Sequence, residues 1–314
     1  MIKNILKDRK AIEMGFNWIF AIIAGTFILF LAIYGASRFI ETSESSLYTQ
    51  SAAKLVSLFD PLETGLASGK SSEIDFKKQT KLYFDCEERA YPPFGKQTIS
   101  FTEKTFGDEY GEKGGDITIK NKYVFSEEIV EGKKLHIFSK PFFMPFKIAD
   151  IIIISSENYC FYDSPEYIRE DLEGLNLENI YFINFSMDCS GKKVCFDGDC
   201  EISVVENENF VLKDEQKLYY EGDLIYSAIF SSPEIYECNI KRLMNKFYEL
   251  GKIYLDKTEI IGRKECINNI GPKLANLMKD SKNLQSSEGL NNLFKDSLEI
   301  ESINGDARSG CRLY

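Results

Sequence analysis

Between Glu13 and Arg38 the chain carries no charge, and Met14 to Ser37 read MGFNWIFAIIAGTFILFLAIYGAS. A bilayer's hydrocarbon core is about 30 Å thick, which takes roughly 20 helical residues to cross at about 1.5 Å each. In that medium a lone segment must pair its own backbone groups, and only a helix does so. Residues 14–37 therefore predict a transmembrane helix, with Trp18 and Tyr34 near its ends, where amphipathic rings favour the headgroup region. Lys3, Lys7, Arg9 and Lys10 precede the run, whereas Arg38 is followed by Glu41 and Glu44. The excess of positive charge predicts a cytoplasmic tail at 1–13 and everything after the helix outside. The alternative is a cleaved secretory signal with Gly35-Ala36-Ser37 as its cleavage site, but such signals have apolar cores of about 7–15 residues.

Ala21, Gly25, Ala32 and Ala36 fall near one stripe of this helix, with Asn17 in line and Ile28 interrupting. Small residues let helices approach closely in lipid, so the stripe suggests self-association or packing on another envelope protein. Beyond the membrane, Leu47, Ala52, Leu55, Leu58, Phe59 and Leu62 recur at three- and four-residue spacing, with Pro61 near the end and Gly65 and Gly69 after it. This predicts a stalk helix over 38–66. An apolar helix with a wetter amphipathic second half is similar to the N-terminal helix of type IV pilin-like proteins. The resemblance spans about residues 9–60, and Glu13 resembles the pilin glutamate five residues after the processing site. Asp8, not a small residue, precedes Arg9 where that processing would fall.

Residues 74–222 predict a β-rich domain. Ile74–Phe76, Lys81–Asp85, Thr98–Thr102, Ile117–Lys120 and Lys133–Phe138 are short β-prone runs separated by turns such as Gly-Glu-Lys-Gly-Gly at 111–115. Ile151–Ile154 is wholly apolar and predicts a central strand. Tyr159–Tyr162, a helix opening at Ser164-Pro165-Glu166 and a strand over Ile180–Phe185 suggest a strand–helix–strand unit. Ser232-Pro233-Glu234 opens a long helix that ends near Gly262, and helices follow near 264–283 and 287–303. The fold class expected is α+β: a transmembrane and stalk helix, a mixed, mostly antiparallel sheet domain, and a C-terminal helical subdomain over 223–314. The runs PFFMPFKIADIIII, NYCFYDSPEYI, KKVCFDGDCEISV and SSPEIYECNIKRLM resemble segments of an uncharacterised group of archaeal single-pass membrane proteins. That resemblance implies the topology and brings no catalytic residue.

All eight cysteines (Cys86, Cys160, Cys189, Cys195, Cys200, Cys238, Cys266 and Cys311) follow the apolar helix. An even number outside the cytoplasm reads as disulfides. If the helix from 234 runs straight, Cys238 lies roughly 35 Å from Cys266, beyond the reach of one bond. A returning third helix would instead bring Cys311 beside Cys266, making that the best single pair. Cys189, Cys195 and Cys200 lack the CxxC knuckle of a zinc site. Cys195 and Cys200 could flank a hairpin turn at Phe196-Asp197-Gly198-Asp199, and Asp197, Asp199 and Glu201 read as a solvated turn.

Composition narrows function. The net charge of −11 offers no basic footprint for nucleic acid. His136 is the single histidine, so sites needing two from this chain are excluded, and its strand-like surroundings make it a sheet residue. Walker A, GxSxG and GxGxxG patterns are absent. No cofactor, metal site or enzymatic activity is expected. The one N-glycosylation sequon is at Asn184. The leading expectation is a membrane-anchored, extracytoplasmic structural or interaction protein of the cell envelope, with the lipid bilayer as first partner. A ligand-binding module with Phe142, Phe143 and Phe146 lining its pocket is the alternative, and a carboxylate-based hydrolase ranks third.

Overall fold

The computed structural model describes residues 9–59, 71–89, 94–105, 109–183, 189–263, 270–306 and 311–314 (backbone only at 9–17, 40, 41 and 44). It opens with helix α1 (Arg9–Leu58), whose 50 residues span about 75 Å without a break. The span and the stalk expected from the sequence are thus one helix. Residues 60–66, with Pro61, Leu62 and Gly65, lie outside the described residues, as does Gly69.

Two six-stranded sheets follow. The first comprises β1 (Ser71–Glu87), β2 (Lys96–Glu103), β3 (Ile117–Ile119), β4 (Tyr123–Phe125), β5 (Ile129–Phe143) and β6 (Lys147–Ser155), in the order β3-β2-β1-β5-β6-β4. The second comprises β7 (Tyr159–Tyr162), β8 (Ile180–Ile183), β9 (Lys192–Phe196), β10 (Ile202–Val205), β11 (Phe210–Lys213) and β12 (Gln216–Tyr219), in the order β12-β11-β10-β9-β7-β8. Helix α2 (Glu166–Glu173) connects the parallel neighbours β7 and β8, forming the expected strand–helix–strand unit. The C-terminal part is helical: α3 (Leu224–Phe230), α4 (Pro233–Gly262), α5 (Ile270–Lys282) and α6 (Leu290–Asp306).

The fold is α+β, but the sheets are mixed, not mostly antiparallel. Strand β4 runs parallel to β6, β7 to both β8 and β9, and β9 to β10. Period-two alternation reports which face a residue takes and says nothing of strand direction, which connections decide. The β9–β10 link shows why the hairpin reading fails. Parallel neighbours usually need a crossover of about a dozen residues, yet here residues 197–201 suffice. The register is offset, with Val194 opposite Ile202, so the chain retreats only a short way. Asp197 turns it with a φ of 53°, and the Cys195–Cys200 disulfide clamps the loop. Strand β4, three residues long, is not among the runs read from the sequence.

Ile151–Ile154 is internal to its sheet, as its composition predicts. Ile151 and Ile153 join the main core, shared with the second sheet and the C-terminal helices, while Ile152 and Ile154 join a second core under α1. Both faces are therefore apolar and no residue can be polar. Burying each isoleucine contributes about 2 kcal/mol. The Ser-Pro-Glu signals divide. At α4, Ser232 Oγ accepts from Ile235 N and Pro233 takes the first helical position. At α2 the cap position falls on Pro165 and no side chain caps it, leaving the Ser164 hydroxyl buried without a partner.

Candidate functional site

The segment Trp18–Phe39 is the one candidate membrane span among the described residues, and none of it is buried by the rest of the chain. Ala21, Gly25, Ala32 and Ala36 are all exposed on it, and nothing lies within 4 Å of where a Gly25 β-carbon would stand. The span's two aliphatic hydroxyls are closed internally: Thr26 Oγ1 donates to Ile22 O at 2.8 Å and Ser37 Oγ to Ile33 O at 2.9 Å. That is how a helix carries hydroxyls in an apolar medium. Arg38 marks the end, its guanidinium 5.8 Å from the Tyr34 ring centre.

About two and a half turns further on, α1 docks. Tyr48, Ala52, Leu55 and Phe59 are buried against the outer face of the first sheet, with β2 and β3 beneath. The glycines at 111–115, read from sequence as a turn, are the seat of this contact. A β-carbon on Gly114 would stand 2.9 Å from the Tyr48 β-carbon and from Thr49 N. Gly115 N donates to Thr49 Oγ1 at 2.8 Å. Through this contact the helix is fastened to the globular part.

Three disulfides form among the described residues: Cys86–Cys238, Cys160–Cys189 and Cys195–Cys200, with Cα separations of 6.1, 6.3 and 6.0 Å. Cys238, placed early in α4, is thus bonded to the first sheet. Cys311 is disulfide-bonded, whereas Cys266 and its expected pairing with Cys311 lie outside the described residues. Cys160 and Cys195 share one face of the second sheet with Tyr162, and the other halves of the two disulfides pack over them. No sequence signal indicated the partners of Cys86 and Cys160, because those bonds join segments 152 and 29 residues apart whose neighbourhood depends on the fold, whereas Cys195 and Cys200 flank one short turn.

His136 is a sheet residue, opposite Glu73 across β1 and β5, with Nδ1 2.9 Å from Glu73 Oε1. Burial holds its pKa below the ordinary histidine value despite Glu73. Lys134 bonds both Glu73 and Glu178, which raises its own pKa. Phe142 and Phe146 are core residues, Phe146 stacking on Tyr254 at 4.0 Å, while Phe143 is 51% exposed. Asn184 lies outside the described residues.

The element sequence reading missed is Arg242, which is 1% exposed on α4. It donates to Phe94 O, Lys122 O, Gln97 Oε1 and Asn239 Oδ1 and lies 4.9 Å from the Tyr123 ring centre. No carboxylate among the described residues bonds it, and burial lowers its pKa to about 10. Gln97 and Asn239 both reach Val124 O at 2.7 Å, so the hub ties α4 to β2 and β4 beside the Cys86–Cys238 bond. An arginine in a helix otherwise reads as solvated, so its role emerges only in three dimensions.

The fold and site define an α+β protein whose N-terminal helix is long and apolar enough to cross a membrane and whose remainder is cross-linked by disulfides. Comparison with family models, with curated proteins and with solved structures finds no match.

Proposed function

We propose that this protein is a membrane-anchored, extracytoplasmic structural or interaction protein of the cell envelope. The carrying observation is the uncovered apolar segment Trp18–Phe39, continuous with a stalk bolted to the globular part. Exposing so many large apolar side chains to water is untenable, and lipid removes the cost. The basic flank at 1–13 supports a cytoplasmic N-terminus, and disulfides suit an oxidising compartment. The stripe at Ala21, Gly25, Ala32 and Ala36 offers the surface for helix–helix assembly, in keeping with the pilin-like character of residues 9–60.

The test has two parts. The protein should stay with membranes after alkaline extraction, and a cysteine placed at Leu212 should react with an impermeant maleimide on intact cells. Release from membranes overturns the anchoring, and a protected Leu212→Cys site overturns the extracytoplasmic location. Assembly is tested by cross-linking in membranes, where Gly25→Leu should reduce dimers. Among the described residues nothing outside α1 lies within 4 Å of where a β-carbon at that position would stand, so the substitution reports on partners.

A further inference from the structure

We draw no further inference here: the strongest candidate, the cleft of about 590 Å³ between the end of α5 and the start of α6, is an acidic cluster of the exposed side chains Asp280, Glu288 and Asp296 and carries nothing, because none of the side chains lining it is a buried group lacking a partner and nothing else there marks a ligand.

Discussion

Gly114 approaches Tyr48 so closely that a β-carbon on the glycine would stand 2.9 Å from the tyrosine's own. This contact is where a helix that leaves the globular part by many turns is fastened to it. Gly114→Leu should therefore undock the stalk while sparing the distant main core. Overpacking costs about 1–3 kcal/mol. Hydrogen exchange of the amides from Tyr48 to Leu55 should quicken, with those of β6 unchanged. Unaltered protection at Tyr48–Leu55 would show that the contact does not hold the helix.

The disulfides should differ in worth according to the chain they close. Cys86–Cys238 spans 152 residues and Cys195–Cys200 spans 5. Loop entropy gives about 5 kcal/mol for the first and about 2 kcal/mol for the second. Denaturant unfolding of the Cys86→Ser/Cys238→Ser and Cys195→Ser/Cys200→Ser pairs should rank them in that order. Peptide mapping without reduction should also yield Cys266 linked to Cys311.

Acid should weaken the protein in part through His136. Burial depresses its folded pKa, so the native state binds fewer protons than the unfolded chain. The associated stability is present above the unfolded value near 6.5 and is lost as pH falls through the folded value. Burial alone would raise the Glu73 carboxyl, but Lys134, a backbone hydrogen bond and His136 outweigh it and hold it low. In denaturant titrations from neutral to acidic pH, His136→Gln should flatten the slope below about pH 6.5. An identical slope would assign the acid response elsewhere.

Arg242→Met should be among the most damaging single substitutions outside the apolar core. It leaves Gln97, Asn239 and two backbone carbonyls without their shared donor. Lost bonds to a charged donor and the stranded acceptors together cost about 3 kcal/mol or more. Glu127→Gln should cost a similar amount, because Lys213 is buried and loses its counter-charge. Urea midpoints read both effects, and values within about 0.5 kcal/mol of the parent would refute them.

The apolar helix, the all-isoleucine strand at 151–154, the helix starting at Pro233 and the helical C-terminal part were legible because each depends on local period, length and capping. These are properties of neighbours along the chain. Strand direction, the seat of α1 on Gly114, the partners of Cys86 and Cys160, the burial of Phe142 and Phe146 and the hub at Arg242 were decided only by tertiary structure. Each pairs residues far apart in sequence, and such pairings follow from connection geometry and shared burial, which leave no periodic trace. A glycine cluster reads alike as a turn or as a docking surface until the helix that needs it is in place.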